Sequence, residues 1–138
     1  MQYENLPPEV AALVAEQERI SALPIIAGYA MATLGSRTKR GGTVHTATSG
    51  ICCRDDLRIA RVGDEVCYPD GSIAHITSGA GFAAIYDGKP LAIVGSHISN
   101  GDEIAETLNS AMQITIREGL PPVPGLLDPQ YIPPQLAQ

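Results

Sequence analysis

The feature that most constrains this chain is an internal repeat between Gly35 and Asp102. The pattern opens at Gly35-Ser36-Arg37-Thr38, returns at Gly63-Asp64-Glu65-Val66 and begins again at Gly95-Ser96-His97-Ile98, at spacings of 28 and 32 residues. Each full copy continues with an apolar run, a Thr-Ser-Gly, an Asp turn and a second apolar run. We count two and a half copies. Units this short cannot bury a core singly, so the pattern predicts a fold made by packing copies together.

The composition fits a small core with many turns. The chain has 138 residues, with 14 Gly and 11 Pro but one Phe and no Trp. Such a chain buries little apolar surface per residue, and a metal, a disulfide or a partner often stabilises it. Three cysteines are too few for a disulfide scaffold.

The charge argues against nucleic acid as a partner. The net charge is −6 and the pI is near 4.9, whereas a nucleic-acid-binding protein presents a basic face. The basic residues Arg37, Lys39 and Arg40 are interpreted as a solvated turn. No run is long enough to span a bilayer and no signal peptide is recognised, so we expect synthesis in the cytoplasm.

Short strands are predicted throughout the repeat, at 29–34, 43–49, 57–62, 73–77, 82–86 and 90–94. Asp87-Gly88 is a good hairpin turn, since both residue types tolerate positive φ. Asp55-Asp56 is a weaker turn at the matching place. Even spacing of short strands indicates an all-β unit.

The flanks differ from the repeat and suggest three segments: an N-terminal helical extension (1–28), a β domain (29–110) and a C-terminal extension (111–138). Residues 7–20 are predicted to form a helix, stopped by Pro24, that serves as a docking arm. Residues 103–118 have two open interpretations, a helix closing at Gly119 or a final extended arm. The Pro-rich tail from Leu120 is expected to be extended along the surface or disordered.

The motifs of the repeat resemble the PAAR-repeat family over about residues 30–108. The resemblance rests on Gly41-Gly42-Thr43-Val44, on the run from Ile59 through Gly63-Asp64 to Cys67, and on the run Asp87-Gly88-Lys89-Pro90-Leu91-Ala92. It implies a mainly β fold: a small cone of short β-hairpins with a pseudo-threefold repeat.

The resemblance also implies a function. The cone would be a structural tip, not an enzyme, that caps a trimeric VgrG-like β-helical spike of a type VI secretion or phage-like contractile injection system. It would stay in the bacterial cytoplasm until firing and would touch the target membrane only transiently. An effector or a chaperone is a further possible partner, on the terminal arms.

Family members commonly hold a structural zinc ion near the vertex with three His and one Cys, so the resemblance implies such a site here. The available donors are His45, Cys67, His75 and His97, a set that suits a closed tetrahedral zinc site. Each has an alternative interpretation: a small buried side chain for Cys67, a hydrogen-bonding turn residue for His97, and solvent-facing strand residues for His45 and His75.

Two departures from the family pattern concern this site. Arg40 stands where members often have a His before the double glycine, and no His follows Cys67 in Tyr68-Pro69-Asp70-Gly71. His45 and His75 also lie five and four residues before Gly50 and Gly79, positions that are on opposite faces of regular strands. Either one strand bulges, therefore, or one of the two histidines is not a ligand. Cys52 and Cys53, expected to be reduced thiols, are reserve ligands.

Two other functions remain open, an adaptor for a toxin cargo and a small zinc-dependent hydrolytic effector. The sequence contains no nucleophile elbow, phosphate-binding loop or zinc-protease motif. We therefore predict no catalytic residues.

Overall fold

The computed structural model describes residues 6–53, 56–110 and 112–133. Its regular elements are one helix, one 3₁₀ turn and short strands. They are α1 (Pro8–Ser21), β1 (Ile25–Ala30), β2 (Arg37–Thr38), β3 (Thr43–Val44), β4 (Glu65–Cys67), β5 (Ile73–His75), the 3₁₀ turn Gly81–Ala83, β6 (Ile85–Tyr86), β7 (Lys89–Pro90), β8 (Ile104–Glu106) and β9 (Gln113–Arg117). The mainly β prediction is confirmed.

The central sheet closes into a ring. Five strands pair antiparallel in the order β5-β4-β3-β2-β8. Bridges from Ile76 to Ile98 and from His97 to Glu103 add the segment 97–99 between β5 and β8. Closure removes the exposed strand edges that would otherwise template pairing with other chains.

Three equivalent hairpins make up this ring. Each starts at a glycine whose φ is positive, Gly35 (89°), Gly63 (98°) or Gly95 (99°). The N–H of that glycine donates to the carbonyl of a residue on the returning strand; the three pairs are Gly35 to Val44, Gly63 to Ile76 and Gly95 to Ile104. The two and a half copies counted in the sequence thus correspond to three hairpins in the structure, as the pseudo-threefold prediction requires. The missing half is the segment before Gly35, whose sequence hides the likeness but whose backbone matches the others.

Three buried alanines tie the hairpins together at one end of the ring. The N–H of Ala60 donates to the carbonyl of Ala32 at 3.0 Å, that of Ala92 to Ala60 at 2.8 Å, and that of Ala32 to Ala92 at 2.9 Å. All three residues have 0% exposure. This cyclic set of bonds shows pseudo-threefold symmetry directly.

Strand alternation places the core inside the ring. Val44, Val66 and Ala74 are buried, while their neighbours His45, Glu65 and Ile73 are not, as expected when successive side chains point to opposite faces of a strand. The inner cluster contains Ala32, Val44, Ala60, Val66, Ala74, Ile76, Ala92, Ile98 and Ile104. A second cluster contains Met31, Ile59, Ala80, Leu91 and Ile93.

The predicted helix and the predicted hairpin turn are both present in the structure. The helix at 7–20 is confirmed as α1, and Asp87-Gly88 is confirmed as the turn between β6 and β7, with φ values of 54° and 79°. Asp55 lies outside the described residues, as does the end of the Pro-rich tail beyond residue 133. The strands predicted at 43–49 and 57–62 are shorter in the structure than expected. The first is reduced to β3, and the second makes only isolated bridges.

The open choice for residues 103–118 is resolved in favour of extended structure. The segment forms β8 and β9, and Gly119 follows with a φ of 86°. The helical alternative was wrong, because β8 completes the ring and β9 pairs with β1. Tertiary pairing here overrides the apolar spacing that favoured a helix.

The chain divides into two compact units. One contains the residues up to Ala27 together with 115–121, and in it Arg117 donates to the carbonyls of Ser21 and Leu23. The other, the ring unit, contains 28–114 and the tail from Pro122. Within the ring unit the tail runs along the surface, where Leu126 pairs with Gly79 in a parallel bridge. Among the described residues, no helix has the length and apolar character needed to cross a bilayer.

Candidate functional site

The ring has two distinct ends. We call the three hairpin turns, residues 39–42, 68–71 and 99–102, the turn end. The opposite end, with the Ala32-Ala60-Ala92 triangle and the connecting loops, is the alanine end. The turn end is where the resemblance places a metal.

A buried carboxylate lies at the centre of the turn end. Asp102 is 3% exposed, and its Oδ2 accepts a hydrogen bond of 2.8 Å from the Tyr68 hydroxyl. Its Oδ1 accepts from the backbone N–H of Glu103 at 2.9 Å and of Arg40 at 3.2 Å. The Thr38 side chain, whose hydroxyl accepts the N–H of Gly42, also lowers the pKa of this carboxyl by hydrogen bonding. One side chain therefore binds groups from all three hairpins.

Arg40 and Asn100 extend these contacts at the surface. The guanidinium of Arg40 donates from Nη1 to the carbonyl of Asn100 at 3.0 Å. The amide oxygen of Asn100 accepts from the N–H of Asp102 at 3.1 Å and lies 3.4 Å from the Tyr68 hydroxyl. Arg40 is exposed at its turn, as its interpretation as a solvated turn residue predicts, and its guanidinium also joins the first hairpin to the third.

The double glycine at the first turn has two separate physical roles. Gly41 has a φ of 87°, which favours glycine. Gly42 has no such requirement, but a Cβ there would lie 2.7 Å from Cε1 of Tyr68 and 2.7 Å from Cγ1 of Val66. Gly42 thus makes room for the tyrosine ring, and its N–H donates to Thr38 Oγ1 at 2.8 Å.

Hydrogen bonds set the protonation of this cluster. Burial raises the pKa of Asp102, but the bonds from Thr38, Tyr68 and the N–H groups of Glu103 and Arg40 outweigh it, so its pKa is lowered. Burial is the main reason why the pKa of Tyr68 is raised; the neighbouring Asp102 carboxylate acts in the same direction. Neutral phenol and charged carboxylate make a strong hydrogen bond.

The predicted zinc ligands lie on the outer face of the ring. His45, His75 and His97 are exposed and Cys67 is half-buried. His97 Nδ1 lies 2.8 Å from the Ser78 hydroxyl. Cys67 occupies a row between Thr43 and Ile73 on the adjacent strands.

The two strand histidines lie in one row, on one face of the sheet. Glu65 pairs with His75, and its carbonyl accepts the N–H of His45 at 2.8 Å. His45 and His75 therefore flank Glu65 on one face. The first strand is therefore irregular, as one of the two alternatives expects, since the chain leaves regular strand geometry after Val44.

These donors do not fit a four-ligand site as they are placed. Within residues 6–53, 56–110 and 112–133, no group of three or more His, Cys, Asp or Glu side chains could hold a metal ion. Nor do the reserve ligands join them, since Cys52 pairs with Arg58 in a separate bridge. Zinc binding by His45, Cys67, His75 and His97 stays a prediction.

Sequence reasoning missed the residues that link the turns, namely Thr38, Tyr68 and Asp102. A signal was present: Arg40 and Tyr68-Pro69-Asp70 occupy the places of absent family histidines. The sequence does not reveal the hydrogen bond between Tyr68 and Asp102, because these two residues are 34 positions apart in the chain.

Comparison with known families agrees with this geometry. The model of the PAAR motif matches residues 34–106, the whole of the three-hairpin ring. The chain belongs to the PAAR motif family. PAAR proteins form a structural spike-tip family, so the recognition made from the repeat is confirmed. No curated protein and no solved structure matches the chain significantly.

Proposed function

We propose that this PAAR protein caps the blunt end of a trimeric VgrG-like spike in a type VI or related contractile injection system. It waits in the bacterial cytoplasm and is injected with the spike, touching the target membrane transiently. The role is structural and needs no catalytic group.

The observation that carries the proposal is the cyclic hydrogen bonding of Ala32, Ala60 and Ala92. A single chain that repeats the same backbone contact three times offers a trimer three nearly equivalent surfaces. A threefold partner can then be met by matched contacts from each of its subunits.

The alanine end is the surface we assign to the spike. Its connecting loops expose two large apolar side chains, Phe82 at 59% and Leu108 at 61%. Large apolar side chains left exposed at one surface are typical of protein interfaces. The turn end, closed by polar contacts, would then point away from the spike.

Co-purification with a trimeric spike protein tests the proposal. We expect one chain per spike trimer, and Phe82→Glu or Leu108→Glu to reduce capture at least tenfold, which corresponds to about 1.4 kcal/mol. Ile73→Glu is the matched control, since Ile73 is 53% exposed but lies beside the second hairpin turn. Equal loss in the control, or no complex with any spike, would contradict the assignment.

A second function, adaptor for an effector or chaperone, is favoured by α1. None of its fourteen residues is buried, and Leu13 is 71% exposed. A helix of this length is marginal in water without packing, so an apolar stripe that the chain leaves uncovered suits a partner. Deleting residues 1–22 should abolish capture of that cargo and leave spike binding intact; loss of spike binding instead would contradict separate roles.

A further inference from the structure

We propose that the turn end of the ring is held closed by a metal-independent hydrogen-bond network of Thr38, Tyr68 and Asp102, supported by Arg40 and Asn100. The network would stabilise the turn end in the way that a zinc ion does in other PAAR proteins. It does not depend on which spike the protein binds.

Asp102 connects the three turns. A device that holds three turns together must contact all three, and Asp102 does so from the third hairpin. It accepts a hydrogen bond from the hydroxyl of Tyr68 in the second hairpin and another from the N–H of Arg40 in the first hairpin. A zinc ion would supply the same topology, one centre with ligands from several turns.

Both carboxylate oxygens of Asp102 have hydrogen-bond donors. A buried charge is costly unless it is hydrogen-bonded, and Asp102 accepts at both oxygens. Among the described residues, no buried side-chain nitrogen or oxygen is left without a partner. A fully satisfied network of this kind rigidifies a unique arrangement.

The Tyr68 ring takes up the space at the turn end. The Tyr68 ring sits against Gly42, whose missing Cβ leaves the room it needs. The aromatic ring therefore fills the turn end, and its hydroxyl reaches Asp102. A metal at this place would have to displace the ring, and the predicted thiol ligand Cys67 instead lies in the outer-face row.

Metal content and thermal stability test this proposal on the full chain. We expect purified protein to keep its melting temperature when EDTA is added and to contain well under one equivalent of zinc. Tyr68→Phe should lower the melting temperature by about 5 °C, the size of shift for losing one good hydrogen bond in a domain of this size. Tyr86→Phe, on a half-exposed tyrosine at 47%, is the matched control.

A double-mutant cycle makes the test specific. Asp102→Asn combined with Tyr68→Phe should cost less than the sum of the single changes, since both remove the same bond. Amide exchange at Arg40, whose N–H binds Asp102, should accelerate in Asp102→Asn and report the turn end locally.

Two outcomes would overturn the proposal. One is a melting temperature that falls on chelation and returns with zinc. The other is a Tyr68→Phe variant as stable as the control with unchanged exchange at Arg40. Spike capture, measured separately, distinguishes either result from failure of the proposed tip function.

Discussion

The Tyr68 hydroxyl and the Asp102 carboxylate lie 2.8 Å apart across 34 residues of sequence. The bond joins the second hairpin turn to the third. It therefore connects neighbouring copies of the repeat at the end of the ring opposite the alanine triangle.

The charge of Asp102 makes stability depend on pH. Its pKa is lowered in the folded protein, so its contribution is fully present above the ordinary value of 3.8 and is lost as pH falls through the folded pKa. Its hydrogen-bond donors are the Tyr68 hydroxyl and the N–H groups of Arg40 and Glu103. The side chain of Glu103 itself pairs with Lys39 in an exposed ion pair. We expect the melting temperature to fall below about pH 4, and to fall less steeply in Asp102→Asn.

Asp70→Asn is the matched control for this pH profile. Asp70 is exposed, and its lowered pKa arises from local bonds to Ser72 rather than from contacts between hairpins. A parallel acid profile for wild type and Asp102→Asn would contradict the prediction.

Gly42→Ala should destabilise the ring unit by about 1–3 kcal/mol, because the new Cβ must push Tyr68 and Val66 aside. Urea unfolding measures the change. Gly28→Ala is the control, since its Cβ would meet only the flexible end of Gln113 at 3.2 Å. Equal midpoints for the two variants would show that the space over Gly42 is unimportant.

Ala60→Val tests the alanine triangle. Ala60 has 0% exposure and donates and accepts within the cyclic set, so added methyl groups should cost about 1–3 kcal/mol. Ala83→Val, at an exposed site, should be near neutral. A stable Ala60→Val variant in calorimetry would argue that the triangle tolerates expansion.

The zinc prediction has its own decisive variant. If His45, Cys67, His75 and His97 bind zinc, Cys67→Ser should lower both bound zinc and melting temperature. The hydrogen-bonded turn end predicts neither change. Mass spectrometry of the metal content and a thermal melt on the same sample separate these outcomes.

The sequence was informative wherever a local rule governs the backbone. Asp87-Gly88 was predicted as a hairpin turn because both residues accept positive φ, and they do. The segment 103–118 was ambiguous because its apolar spacing suits helix and strand alike. Pairing with distant strands decided it.

The candidate site was predicted by residue type and was therefore incomplete. Histidines and a cysteine attract attention because they bind metals, whereas Tyr68 and Asp102 are ordinary turn residues until the ring brings them together. The sequence left two alternatives for His45 and His75 for a related reason: counting along the chain assumes regular strands, and β3 is only two residues long.

By itself the sequence determined the repeat, its glycine corners and hence membership of the PAAR family, because these depend on local backbone conformation at Gly35, Gly63 and Gly95. Only the tertiary structure decided what lies at the turn end. Contacts there join residues from three hairpins, and their identity depends on ring closure, burial and the space above Gly42, none of which is a local property of the chain.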